Sequence, residues 1–230
     1  VYKRQLFLGG SGGVYCIVEL AAIWLCIVAN AVWQIRRVDI FNGLNLIETI
    51  RPYAKEDLGS RIRVVWEGAE YRGRFRQVIW DGSAFLTDNE ILSATPINFF
   101  NKDKTLNQPA PNELHWKALT TGNIGGFDIT LADAYNGTLK IETPLVKVGV
   151  PIEDIGFEDE VFDNSGVLPR YLKLFRLPTK NLHKSIKFVR AINLQPNGDN
   201  PIFIRITQED GTLTWTSPTY VLSLIHISEP

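Results

Sequence analysis

The residues that could hold a catalytic metal are few and scattered. The chain contains three histidines, His115, His183 and His226, and none of them forms an H-x-H or H-x-x-x-H pattern or stands beside a carboxylate motif. A catalytic metal needs several protein ligands and an open position for water. We therefore interpret His115 and His183 as surface or packing residues. The chain is predicted to have no catalytic residue, no metal ligand and no cofactor of its own, and to hydrolyse no phosphoester by itself.

Two other motifs resemble catalytic signatures only in part. Ser83, in Asp81-Gly82-Ser83-Ala84, lacks the G-x-S-x-G context of a nucleophile elbow, so we interpret it as a turn residue. The glycine-rich segment 122–126 lacks the lysine and the following helical pattern of a phosphate-binding loop. This segment is predicted to be a hairpin or a bulge.

Three arginines are candidate anion-binding residues. Arg72, Arg74 and Arg76 alternate along a predicted strand, so the period of two would place them on one face. Guanidinium groups suit carboxylate and phosphate, and this face could bind an anion. Glu67, Glu70 and other carboxylates could equally neutralise the arginines in a solvated or salt-bridged face. Both interpretations stay open.

An acidic segment raises the same kind of question for calcium. Carboxylate oxygens are calcium ligands, but the segment lacks the D-x-[DN]-x-[DN]-G loop pattern. An ordinary solvated turn, including one helical turn, is the favoured interpretation. The acidic residues concerned are Glu153, Asp154, Glu158, Asp159, Glu160 and Asp163.

Composition frames these candidates. The chain is 45% hydrophobic and 21% charged with a formal net charge of −1, so it can bury a core and lacks the basic excess of a nucleic-acid binder. No nucleic-acid partner is predicted. Cys16 and Cys26 lack metal-ligand spacing. They identify neither a redox compartment nor a localisation.

From Ile35 onward, the elements are predicted to be mainly antiparallel strands in sandwich-like sheets built from hairpins. Turn signals recur about every ten residues, as in sandwiches and barrels. Asn42-Gly43 predicts a first hairpin, and Ile202–Gln208 is predicted to pair with Thr212–Tyr220 across an Asp-Gly turn. The other predicted strands are Arg61–Trp66, Tyr71–Trp80, Ala84–Leu86, Ile91-Leu92, Leu114–Leu119, Phe127–Leu131, Thr138–Thr143, Leu145–Val150, Arg170–Leu177 and Ser185–Ile192.

The prolines and tryptophans add two expectations. Asn98 to Asn112 contains Pro109 and Pro111 and many polar residues, which predicts a surface loop. Six tryptophans could stack on carbohydrate, but Trp66, Trp80 and Trp215 lie in phase with apolar strand neighbours. They are predicted to anchor the core.

The apolar segment Val14 to Val32 has several interpretations. It is close to the length of about 20 mostly apolar residues that a membrane helix needs, so it could contact a membrane as a span or export segment. Alternatively, it forms buried strands or a core helix of a truncated upstream domain. A further alternative is that its sequence is an artefact of the joining of DNA fragments in a sequencing library. No cluster of positive charge precedes it between Leu6 and Val14.

Several blocks from Ile35 to Val221 resemble the C-terminal region of large polymerase-and-histidinol-phosphatase (PHP)-like proteins. The closing block has an alternating strand, then Q-x-D-G, then W-[ST]-S-P. The resemblance implies a divalent-metal-dependent hydrolase domain upstream, as the partner of this region in the same chain. No position here matches the metal ligands of that family. The resembling blocks are Arg61–Trp66 with Gly68-Ala69, Arg72-Gly73-Arg74 with Trp80-Asp81-Gly82, Thr120-Thr121-Gly122, and Ile204–Gly211 with Trp215-Thr216-Ser217-Pro218.

Both ends of the chain are expected to be sequencing-adapter scars on a metagenomic fragment of a larger bacterial-type protein. Residues 1–5 can be encoded by GTG TAT AAG AGA CAG, whose reverse complement encodes residues 222–226. Such scars are excluded from fold reasoning. The expected organisation is thus a scar at 1–5, the apolar segment at 6–34, a β-rich C-terminal region at 35–221 and a scar at 222–230. The function expected of 35–221 is a non-catalytic accessory region of a PHP-like hydrolase; the alternative is an independent binding or surface module, with or without a membrane tether.

Overall fold

The computed structural model describes residues 4–8, 12–19, 22–195 and 198–222. The expected scar residues 1–3 and 223–230 lie outside this part of the chain. The described residues confirm the predicted class, since they form antiparallel sheets and no α-helix. The strands are β1 (Arg4–Leu8), β2 (Gly12–Glu19), β3 (Ala22–Asn30), β4 (Ile35–Asn42), β5 (Asn45–Ile50), β6 (Leu58–Gly68), β7 (Val78–Ile79), β8 (Gly82–Thr87), β9 (Ile91–Ile97), β10 (Thr105–Ala110), β11 (Glu113–Lys117), β12 (Leu119–Thr120), β13 (Ile124–Leu131), β14 (Thr138–Glu142), β15 (Lys147–Pro151), β16 (Glu160–Asp163), β17 (Arg170–Pro178), β18 (Ser185–Asn193), β19 (Asp199–Gln208), β20 (Leu213–Trp215) and β21 (Thr219–Leu222), with 3₁₀ turns at Lys55–Asp57 and Ile152–Asp154.

The chain divides into two compact units. Unit 1 comprises Val1–Pro52 and Leu182–Pro230, and unit 2 comprises Tyr53–Asn181. This division does not follow the expected boundary at residue 35, because β3 pairs along its whole length with β18, near the other end of the chain. Unit 2 is therefore inserted in the sequence of unit 1, between β5 and β18.

Unit 1 is a sandwich of two sheets. The first has the order β1-β2-β3-β18, and the second has the order β20-β19-β4-β5, with β21 also paired to β19. Residues of β3 and β18 in the first sheet and of β4 and β19 in the second share one apolar core, which includes Ile27, Ile40, Ile192 and Ile204. The predicted terminal pairing is confirmed, because β19 pairs antiparallel with both β20 and β21.

The apolar segment Val14 to Val32 contributes the strands β2 and β3 to this sandwich. The two strands pair antiparallel, with Val14 opposite Ile27. Of the interpretations left open, the structure therefore shows strands in the described part of this segment. No helix in the described part of the chain is long and apolar enough to cross a membrane.

Unit 2 is a second sandwich with a larger core. Its two five-stranded sheets have the orders β10-β11-β8-β14-β15 and β16-β17-β6-β13-β9. The predicted alternation in β6 is confirmed, since Ile62, Val64 and Trp66 are each 0% exposed. Trp66 stacks on Trp116 with ring centroids 5.5 Å apart, and Trp80 is buried as predicted. Aromatic rings from both sheets thus fill the space between them.

Three expectations about elements need correction. The predicted loop 98–112 contains the strand β10, an edge strand whose position tolerates Pro109 because one of its sides needs no ladder hydrogen bonds. Trp215 is 55% exposed, because its β20 strand is short and at the edge of its sheet. The predicted first hairpin is present, since β4 pairs antiparallel with β5, but its turn lies one residue later, at Gly43-Leu44, because Asn42 pairs with Asn45 and Gly43 has a φ of +59°.

The glycines at 122–126 are neither a hairpin nor a bulge. Gly125 and Gly126 lie within β13, where the chain passes very close to β6. A Cβ atom at Gly126 would lie 2.2 Å from the carbonyl oxygen of Val64, closer than any real contact. Glycine is required here by the close approach of two backbones.

Candidate binding surface at the loop end of unit 2

Four loops of unit 2 emerge at the same end of one sheet. Strand β6 ends where β13 and β17 begin, because Glu67 is opposite both Ile124 and Tyr171. Strand β9 also ends there, since Ile97 is opposite Gly126. The loops at residues 69–77, 98–104, 121–123 and 164–169 connect to these strand ends. We call these four loops together the loop end.

The three candidate arginines lie in the first of these loops and not on a strand. The predicted strand from Tyr71 to Trp80 was wrong, since only β7 is extended in this range. Gly73 and Phe75 have φ values of +116° and +60°, which reverse the chain and break any period of two. The amide of Glu70 donates to the carbonyl of Arg76 at 3.1 Å and closes the loop.

The loop still gathers the arginines, but on a turn instead of a strand face. Arg72, Arg74 and Arg76 are all exposed. Their positions within one closed loop keep the three guanidinium groups in the same region of the surface, with each free to orient toward a ligand. The predicted residues are therefore brought together, although the predicted reason was wrong.

The carboxylates that could have neutralised these arginines are bonded to other cations. Glu67 pairs with Lys173 across the sheet. Glu70 pairs with Arg170, whose Nη1 lies 2.5 Å from the Glu70 carboxylate. Arg170 is itself fixed, because its Nε donates to the carbonyl of Asn164 at 2.9 Å. Within the described part of the chain, no ion pair joins a carboxylate to Arg72, Arg74 or Arg76.

Large apolar side chains also project from the loop end. Phe75 is 85% exposed, Phe100 is 90% exposed and Val167 is 82% exposed. Each belongs to a different loop of the four. Sequence reasoning missed all three, although Phe99-Phe100 within a polar stretch was a visible signal for an exposed aromatic ring.

The second loop adds positive charge. Lys102 is exposed, while Lys104 donates from Nζ to the carbonyl of Leu119 at 3.1 Å. The four loops contain five basic and two acidic residues, and so carry a net charge of +3 within a chain of net charge −1. The basic residues are Arg72, Arg74, Arg76, Lys102 and Lys104, and the acidic residues are Glu70 and Asp103.

Histidines and carboxylates do not converge on a common point in the described residues. No group of three or more potential metal ligands is found among them. His115 is exposed, and its Nε2 lies 2.6 Å from Oε1 of Glu113, a pairing that the sequence motifs did not predict. His183 is exposed as expected, and Ser83 lies in β8 and not in a turn.

The acidic segment is mostly exposed, as expected of a solvated turn, and only Asp159 and Glu160 among its acidic residues are partly buried. Burial, assisted by the charge of Asp154, raises the pKa of Glu160 above its usual value. Asp163 instead accepts a hydrogen bond from the amide of Ser165 at 2.6 Å. These contacts give two carboxylates of the same segment different environments.

An open depression lies away from the loop end. It is open, has a volume of about 440 Å³ and is lined by Asp88, Asn89, Glu90, Pro111 and Asn112. The Asn89 amide donates to the carbonyls of Asp133 and Asn136 at 2.8 and 2.7 Å. The Asp133 carboxylate accepts hydrogen bonds from two backbone amides, which lower its pKa. These bonds are internal and hold two loops together.

Neither a family model, nor a curated protein, nor a solved structure matches this chain. The resemblance to PHP-like proteins therefore stays an expectation from the sequence. The loop end is the candidate binding surface, because it combines exposed basic side chains with exposed large apolar side chains.

Proposed function

We propose that this chain is a binding region of a larger protein and that its loop end binds negatively charged groups. One observation carries the proposal. Arg72, Arg74 and Arg76 are exposed in a single loop, while Glu67 and Glu70 are each paired with a different cation. The charge of the loop is thus available to a ligand.

The chemistry of the arginine side chain supports an oxyanion ligand. A guanidinium group presents a planar set of donors that matches phosphate, sulfate or carboxylate. Three exposed groups bind weakly one at a time, because water and salt screen each charge. Together they favour a ligand that presents several negative charges on one surface.

The wider role follows from the PHP resemblance. We propose that the chain serves as a non-catalytic accessory region of a PHP-like metal-dependent hydrolase, with the loop end as its binding surface. The mainly β fold agrees with such a role. The alternative, an independent binding module, uses the same surface and differs only in what the larger protein contains.

Retention on a phosphate matrix tests the binding role. The full chain should be retained at low salt, and Arg74→Glu should elute at clearly lower salt because it reverses one of three neighbouring charges. Lys140→Glu is the matched control, since Lys140 is exposed in β14 of the opposite sheet and the change in charge is the same. Equal elution of Arg74→Glu and the parent, or no retention of the parent, would overturn the proposal.

Reading the gene upstream of this segment tests the accessory role. Closely spaced histidines with further carboxylates would support a hydrolase domain as the partner. A signal or anchor segment with nothing catalytic would instead favour the independent module.

A further inference from the structure

The loop end presents both exposed apolar side chains and exposed positive charge. Phe75, Phe100 and Val167 have the greatest exposure among the large apolar side chains of unit 2 in the described residues. The next is Leu92, at 64%. Single exposed apolar residues scattered over the surface are normal in soluble proteins. Three of them on three loops at the same end of a sandwich are a group that calls for an explanation.

The backbone at Phe75 is unfavourable for its side chain. A φ of +60° is uncommon outside glycine and asparagine, and it is a true outlier for a bulky residue. Gly73, two residues earlier, adopts φ of +116° without cost. Strained conformations cluster at ligand-binding sites, and this one lies in the loop 69–77, between Arg74 and Arg76.

The arrangement of the apolar side chains limits the ligand that fits. They lie on three different loops, and the apolar residues next to two of them, Phe99 and Leu168, are themselves partly buried. They therefore form separate projections and not one continuous groove. A folded protein partner would need a matching hole for each projection, whereas the interfacial region of a bilayer accepts apolar projections at any spacing.

We propose that the loop end docks onto the surface of an anionic lipid bilayer. Phe75, Phe100 and Val167 enter the interfacial region, and the basic side chains beside them contact the phosphate and carboxylate groups of the lipids. Aromatic and apolar residues on one side with basic residues around them are the composition of interfacial membrane anchors. Anionic leaflets attract such basic clusters within a Debye length.

This inference rests on the proposed anion-binding role and names its partner. It uses a different segment from Val14 to Val32, whose described part forms strands of unit 1. Loop variants therefore separate the two routes to a membrane.

Sedimentation of the full chain with vesicles tests the docking. The chain should bind vesicles of phosphatidylcholine mixed with phosphatidylserine and should stay in solution with phosphatidylcholine alone. Arg74→Glu should weaken binding roughly 25-fold, because each charge near an anionic surface contributes roughly a factor of five and the substitution changes the charge by two. High salt should release the chain from the vesicles.

The double variant Phe75→Ser, Phe100→Ser separates docking from simple anion binding. It should lose binding to the anionic vesicles by tenfold or more while its elution from the phosphate matrix stays unchanged. Phe85→Ser is the control, since Phe85 is a half-exposed phenylalanine in β8 of the opposite sheet. The melting temperature should be similar in all variants because the replaced rings lie at the surface.

Three outcomes would overturn the inference. If the parent is retained on the phosphate matrix but does not sediment with anionic vesicles, the proposed function stands and the bilayer is the wrong partner. If the double phenylalanine variant sediments like the parent, the apolar projections do not enter the lipid. If the parent binds neither matrix nor vesicle, both proposals fail.

Discussion

The arginines of unit 2 show how one residue type serves two different purposes. Arg176 is only 3% exposed, and its guanidinium donates to the carbonyls of Ile155 at 2.8 Å and Gly59 at 3.0 Å, and also to two further carbonyls. Burial lowers the pKa of Arg176, and the ring of Tyr135 lies 5.1 Å from its guanidinium carbon. This arginine fixes loops, whereas the exposed arginines of the loop end are available to a ligand.

Glu160 is the residue whose titration should affect stability. Its Oε2 is buried and has no hydrogen-bond partner among the described residues, and burial raises its pKa above the usual 4.5. A raised pKa in the folded state means that Glu160 contributes stability below pH 4.5, and that this contribution is lost as the pH rises through the raised value. Above that value the ionised carboxylate destabilises the fold.

We therefore expect Glu160→Gln to be more stable than the parent at neutral pH. The side chain of glutamine stays neutral, so the difference in the free energy of unfolding should be largest near pH 7 and should disappear below pH 4.5. Urea unfolding at a series of pH values measures it. Glu153→Gln, at an exposed position beside Asp154, is the control. A difference that is constant with pH would contradict the assignment.

At the scale of elements, alternation predicted the strands that have one buried face. Strand β6 is the clearest example, because Ile62, Val64 and Trp66 repeat every second residue and face the core. The same rule placed Trp215 in the core wrongly. An exposed tryptophan on a short edge strand has the same sequence pattern as a buried one, since the pattern does not record which face is covered.

The loop end was predictable only in part. The three arginines were recognised from their spacing, but the loop that holds them was read as a strand because Gly73 and Phe75 were not recognised as points of positive φ. A local sequence does not reveal left-handed backbone at a phenylalanine. The meeting of four loops depends on strand pairings between residues far apart in the chain, such as Gly68 with Arg170, which no local pattern records.

Strand β13 offers a test of the close approach between neighbouring strands. Gly126→Ala should destabilise the protein by about 1–3 kcal/mol, because the new methyl group would overlap the Val64 carbonyl and the backbone must shift. Gly149→Ala is the matched control in β15, since its new Cβ would meet only Lys140 Cγ at 3.6 Å and Thr138 Cγ2 at 4.0 Å. The control should stay within about 0.5 kcal/mol of the parent. Equal effects in chemical denaturation would contradict this account.

At the scale of the whole molecule, the structure explains how unit 2 can be inserted in the sequence of unit 1. An inserted unit must begin and end at neighbouring points so that the surrounding unit can continue. Unit 2 meets this condition, because Leu58 at the start of β6 is paired with Pro178 at the end of β17. Both termini of the inserted segment thus leave from adjacent strands.

Residues 53–181 should consequently fold when expressed alone. Every residue of the largest apolar core lies within this segment, so the excised unit keeps its complete hydrophobic core. The purified segment should show a β-type circular dichroism spectrum, dispersed amide resonances and one cooperative urea transition. It should also keep the retention on a phosphate matrix that the loop end gives to the full chain.

A shorter segment provides the comparison for this experiment. Residues 69–181 lack β6, which lies at the centre of its sheet between β17 and β13. Removing it takes Ile62, Val64 and Trp66 out of the core and leaves two strands without their partner. The shorter segment should therefore be unfolded. If residues 53–181 lack a cooperative transition under conditions in which the full chain has one, unit 2 requires unit 1 for its stability, and the division into two folding units is wrong.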